Sequence, residues 1–284
     1  MNNMKKQTKL MSALFALLAA GTMQTACSNE SDTPEPVKTF YMTVDAVKHK
    51  QVNETKARTT RALSLDGTTL NAAWATTEHV YVQDTLTSSP LDTFWFRGSI
   101  QPQTAGTTTR LSGAVSLPEG WVISIDEAIG TPHTLTLQFP RPGAPDYTGQ
   151  TGTLADIAAK YDYAIATNVR FDIKDDHIEG VTTADFVNQQ AIVKFNLIDK
   201  ADGTSRLNPT ALTIRYGTEN IALTGIPSTT YATNGDGVLF VAIPGFANQD
   251  VTLTATLGSD TYTFARSNVT FEDGQYYEIT VRMK

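Results

Sequence analysis

Val37-Lys-Thr-Phe-Tyr-Met-Thr-Val-Asp-Ala-Val47 places Phe40, Met42, Val44 and Ala46 on one side of an extended chain and Tyr41, Thr43 and Asp45 on the other. A period of two is the pattern of a strand with one face buried and one face wet. From Lys48-His-Lys50 to Arg61 the chain is polar and has no apolar period, so it reads as a connection. An amphipathic strand therefore stands alone near the start of the chain and needs a sheet to receive it.

The rest of the sequence offers that sheet. Short runs of alternating or continuous apolar residues lie between turns rich in Gly, Pro, Asn, Asp and Thr. The expected strands are 78–83, 94–100, 121–125, 134–139, 163–167, 191–198, 211–216, 219–223, 238–243, 251–257, 261–266 and 276–283. Many short strands at spacings near ten residues predict an all-β sandwich or barrel architecture. Helical periodicity is confined to 153–160, where Leu154, Ile157, Ala158 and Tyr161 share a face, so very little helix is expected. Asn168 to Gly180 is charged and turn-rich between two β-dense regions, which is the composition of a domain boundary.

Upstream of the strand, Lys5, Lys6 and Lys9 precede the apolar run Met11 to Ala20 and a small-residue stretch ending at Ala26. A basic region, a short apolar region and a small residue before a cut describe an export signal. Cys27 follows at once and is the only cysteine in 284 residues. One cysteine cannot build an internal disulfide framework. Its position resembles a bacterial lipobox, which implies lipidation of Cys27 and a membrane-held new N-terminus; two anchoring signals suffice for stable attachment. Ser28 to Pro36 is a polar, Pro-containing tether that cannot bury a core.

Downstream of the strand, Lys56-Ala-Arg-Thr-Thr-Arg-Ala62 sets arginines among small polar residues. Exposed loops of this kind are where proteases nick. Arg61–Ala62 is the favoured bond and Arg58–Thr59 the second.

Removing residues 1 to 26 takes away three lysines and moves the formal charge from −7 to −10. An acidic body disfavours nucleic acid as a partner. His49, His79, His133 and His177 are scattered, and zinc needs three or four convergent ligands, so no metal is expected. Asp172, Asp175, Asp176 and Glu179 lack the spacing of a calcium loop, and Asn234-Gly-Asp-Gly237 is first a hairpin signal. Nucleophile-elbow, phosphate-loop and dinucleotide motifs are absent, so neither a cofactor nor an enzyme activity is expected. Phe94-Trp-Phe96 and Trp121 offer a sugar-stacking platform as an alternative reading, although alternation sends part of that trio into the core.

Thr60 to Trp74, followed by Glu78-His-Val-Tyr-Val82, resembles the start of the mature fimbrillins, the type V pilins of Gram-negative bacteria. Tyr161-Asp-Tyr-Ala164, Gln190-Ala-Ile-Val-Lys-Phe195, Phe240-Val-Ala-Ile-Pro-Gly245 and Gly274 to Val281 resemble further segments of that family, in order. The resemblance implies two tandem transthyretin-like Greek-key β-sandwich domains. By it, 1–26 is a lipoprotein signal, 27–36 a tether, and 37–61 a strand and processing loop that belong to the first domain until cleaved. Residues 62–170 form the first sandwich, 171–185 the connection and 186–284 the second sandwich. It also implies lipidation at Cys27, an anchor in the outer membrane, and cleavage between Arg61 and Ala62 by an Arg-specific protease. Phe40, Met42, Val44 and Ala46 would plug a groove until other pilin subunits fill it by donor-strand exchange in a cell-surface fimbrium. Stalk, tip and anchor positions stay open, as does the segment that donates.

Overall fold

The computed structural model describes residues 38–48, 62–66, 69–84, 94–116, 133–174 and 176–284. Cys27, Arg58, Arg61, the export signal, the tether and the strand expected at 121–125 lie outside them.

The protein is all-β. The strands are β1 (Thr39–Lys48), β2 (Ala62–Asp66), β3 (Thr69–Ala73), β4 (Tyr81–Asp84), β5 (Phe94–Trp95), β6 (Arg97–Gly98), β7 (Gln101–Pro102), β8 (Thr108–Ser116), β9 (His133–Phe139), β10 (Ala164–Ile173), β11 (His177–Gly180) and β12 (Ala184–Asn188). They continue with β13 (Ala191–Asp199), β14 (Ala211–Tyr216), β15 (Glu219–Thr224), β16 (Val238–Ile243), β17 (Phe246–Leu257), β18 (Asp260–Phe271) and β19 (Tyr276–Met283). Two short helices, α1 (Leu154–Lys160) and α2 (Ser228–Asn234), interrupt them among the described residues. α1 is the helix expected from sequence. Thr153 caps it by accepting from the Asp156 N–H, and Asp156 pairs with Lys160 one turn on.

Two hydrophobic cores organise the chain. The first lies against a ten-stranded sheet whose main path runs β5-β4-β9-β10-β11-β1-β8-β6, with β12 beside β1 and β10 and β7 beside β8. Its two ends approach each other, because Val80 bridges Ile100 and the Phe96 N–H donates to the Val82 carbonyl. The second core lies in a sandwich of a three-stranded sheet, β16-β13-β19, and a four-stranded sheet, β15-β14-β17-β18. Every residue of β16 is buried, which explains why it reads as the continuous apolar run Val-Leu-Phe-Val-Ala-Ile.

The cores do not divide the chain where composition suggested. Residues 171–185, read as a connection, carry the end of β10, all of β11 and the start of β12, all in the first sheet. Their charges sit on the wet face: Asp185, Lys174 and Glu179 are exposed or half-buried while Phe171, Ile178 and Ala184 are buried. The β2–β3 hairpin and the segment Tyr147 to Tyr161 pack the other way, into the second core, through Leu63, Leu70, Ala72, Tyr147, Ile157 and Tyr161. Contacts from distant strands, absent from any local window, decide both placements.

Candidate functional site

β1 is an interior strand. It pairs antiparallel with β8 over nine positions, from Thr39 opposite Ser116 to Val47 opposite Thr108. Its other edge pairs in parallel, first with β11 (Met42 opposite Ile178) and then with β12 (Val47 opposite Asp185). Phe40, Met42, Val44 and Ala46 all point into the first core and are at most 2% exposed, whereas Tyr41 is 55% exposed. The four residues that alternation placed on one face are thus brought together inside one core. At about 1.5 to 3 kcal/mol for each large side chain, with Ala46 below that range, their burial contributes on the order of 5 to 10 kcal/mol before ordering costs.

β1 is fitted closely between its neighbours. Gly180, at the end of β11, faces Val44 so tightly that a Cβ there would stand 2.5 Å from Val44 Cγ2 and 3.1 Å from Val44 Cα. Across the strand, a Cβ on Gly113 of β8 would meet the Ser99 carbonyl oxygen at 2.5 Å. Gly180→Ala is therefore expected to push β1 outward and cost about 1 to 3 kcal/mol, read as a lower urea midpoint at unchanged slope. An unaltered midpoint would mean that Val44 does not hold β1 against β11.

The alternation does not stop at Ala46. Lys48, the next inward position, is 1% exposed. Its ammonium donates to both carboxylate oxygens of Glu78, at 3.2 and 3.1 Å, and lies 3.8 Å from Asp162 Oδ2. It stands 4.4 Å from the ring centroid of Trp74 and 3.8 Å from that of Phe139. Trp74 is itself set edge-on against Phe139 and Phe186. The strand thus ends in a cage of two carboxylates and two aromatic faces, a recurrent way of holding a desolvated cation.

Local structure builds this cage. Glu78 is fixed by a short turn, where its carboxylate accepts from the Ala75 N–H and its own N–H donates to the Ala75 carbonyl. Asp162 follows α1 and leads into β10, and its Oδ1 accepts from the Gln190 side chain just before β13. Burial pushes both carboxyl groups above their ordinary range, and the nearby Lys48 charge pulls them part of the way back. Gln190 thus ties the start of β13 to the turn that carries Asp162.

Ala62 opens β2 opposite Ala73. Of the aromatic trio, Phe96 is buried and Trp95 is half-buried, so no continuous stacking face is formed by these two. Trp121 lies outside the described residues. Among the described residues no three metal-ligating side chains converge, and no helix is long and apolar enough to cross a membrane.

The fold defines a class: an all-β, two-core protein in which β1, the first of the described strands, is an integral part of the first sheet and precedes an Arg-containing connection. No protein-family model matches the sequence, and no curated protein matches it. Solved structures do resemble the chain. One is a candidate cell adhesion protein from Bacteroides ovatus, 15% identical, covering 88% of this chain and 95% of its own, with a TM-score of 0.45. Another is a fimbrial assembly protein from Parabacteroides distasonis, 12% identical over 86% of this chain and 91% of its own, with a TM-score of 0.38. The tip fimbrial protein Mfa3 from Porphyromonas gingivalis, with a C-terminal truncation, is 9% identical over 86% of this chain and 95% of its own, with a TM-score of 0.37.

Proposed function

We propose that this protein is a structural subunit of a cell-surface pilus, exported as a precursor lipidated at Cys27 and held on the outer membrane. Cleavage by an Arg-specific protease after Arg61 detaches β1 from the body, and a strand of another pilin subunit takes its place. The observation that carries this reading is the position of β1: it is fully built into the sheet, yet joined to the body only through the polar connection 49–61.

The physics of the exchange follows from that position. Loss of β1 bares the inward face of the core and unpaired backbone groups on β8, β11 and β12 together, an adhesive cleft that a strand completes by main-chain pairing. The two flanks of the connection are anchored separately, since β1 belongs to the first core and Leu63, Leu70 and Ala72 to the second. A cut between them therefore leaves the new N-terminal hairpin in place while freeing the strand. Head-to-tail repetition of such a contact does not close on itself and gives a filament.

Limited digestion of the full-length precursor with trypsin tests this. One early cut is expected, with the larger fragment beginning at Ala62 and the smaller one co-eluting with it until urea is added. Removal of the small fragment in the presence of an added pilin donor strand should then yield a complex that resists sodium dodecyl sulfate. A cut within the strands, or a small fragment that drifts away in native buffer, would rule out β1 as a stopper.

A further inference from the structure

We infer that the groove selects its occupant by charge as well as shape: the incoming strand carries four alternating apolar residues followed, at the next inward position, by a lysine, and it comes from a chain different from this one. This rests on the donor-strand reading and names the partner that reading requires.

Glu78 and Asp162 belong to the body, whereas the cation between them, Lys48, belongs to the strand that leaves. Once β1 has gone, refilling its place with a purely apolar strand would leave the buried Asp162 and the largely covered Glu78 without a countercharge, and burial of an unpaired charge is strongly unfavourable. The aromatic faces of Trp74 and Phe139 add a preference for an ammonium at that position. The Asp162 side chain is 1% exposed and the Glu78 side chain 12%, so Asp162 above all cannot turn its charge to solvent.

The sequence then says where such a strand is found. Four alternating apolar residues followed two places later by Lys or Arg occur once in the 284 residues, at Phe40, Met42, Val44, Ala46 and Lys48. The C-terminal strand has Tyr277, Ile279, Val281 and Met283 in alternation, and Lys284 follows one place too early for the cage. The segment after Arg61 has Leu63 and Leu65 and then Gly67. Within these 284 residues β1 alone carries the spacing that completes the cage. A non-identical subunit supplies the fit.

The test uses the full-length protein nicked in the 49–61 connection, so that β1 stays seated without a covalent link. Two labelled synthetic strands spanning residues 38–48, one native and one with Lys48→Met, are offered for exchange at neutral pH, and retention of each is followed by size exclusion. The native strand is expected to be held at least about tenfold more tightly, and Asp162→Asn in the body should shrink that preference. Equal retention of the two strands overturns the cation requirement and leaves donor-strand exchange standing. Failure of both strands to enter removes donor-strand exchange itself, and the inference with it. Ladders formed by the nicked protein alone, with no strand added, overturn the assignment to a different chain.

Discussion

Val44→Asp is expected to lower stability by more than about 4 kcal/mol, because a carboxylate placed at the centre of β1 faces only apolar neighbours and the close backbone of Gly180. Val44 is 1% exposed and sits between Met42 and Ala46 on the same face, so the new group can neither reach water nor find a cation without dislodging the strand. The matched control is Tyr41→Thr on the opposite face, expected to stay within about 0.5 kcal/mol. Urea unfolding of both variants gives the comparison. In the proposed scheme the aspartate also makes a poor stopper, so the variant should take up an added native strand 38–48 more readily than its parent. A Val44→Asp protein as stable as its parent would show that β1 contributes nothing to the first core.

Lys48→Met should be nearly as damaging, and for a different reason. Methionine fills the space and suits the aromatic walls, yet it strands Glu78 and Asp162 in a buried site. Breaking a buried pair by removing one partner costs about 3 to 5 kcal/mol. The defect should depend on pH in a stated direction. Burial already raises both carboxyl groups, and withdrawing the lysine removes the charge that pulls them back, so their folded values rise further. A carboxyl whose folded pKa exceeds the unfolded value of about 4 binds more protons when folded, and its contribution to stability is lost as pH rises through the folded value. The variant should therefore lose stability from pH 5 to neutrality more steeply than the parent, on the order of 1 to 2 kcal/mol more. Adding Glu78→Gln and Asp162→Asn should flatten that slope and recover part of the loss. A Lys48→Met defect that is constant across this range would point to packing alone.

Much of the fold is legible without coordinates because strand periodicity is a local signal. Phe40, Met42, Val44 and Ala46 reveal their common face by spacing, and β14, β16 and β19 have the bounds that their apolar runs suggest. β8 escapes that kind of reading. Thr-Thr-Arg-Leu-Ser-Gly-Ala-Val-Ser has few apolar residues, and it is a strand because β1 pairs with it along its length. The run from Asn168 to Gly180 misleads for the complementary reason: its charges mark the wet face of sheet strands, and composition alone does not distinguish that from a linker.

Lys48 shows where local spacing and tertiary environment part. A lysine after four alternating apolar residues reads as the point where a strand leaves the core, although its spacing continues the inward register without a break. Spacing by itself determined that an amphipathic strand stands apart from the body, with arginines in the polar stretch behind it. Only the tertiary structure decided that this strand is interior, that its lysine is buried, and that Glu78 and Asp162, 30 and 114 residues further on, close around the ammonium. The reason is physical: period reports which way a side chain points, whereas desolvation and countercharge depend on what distant segments bring to meet it.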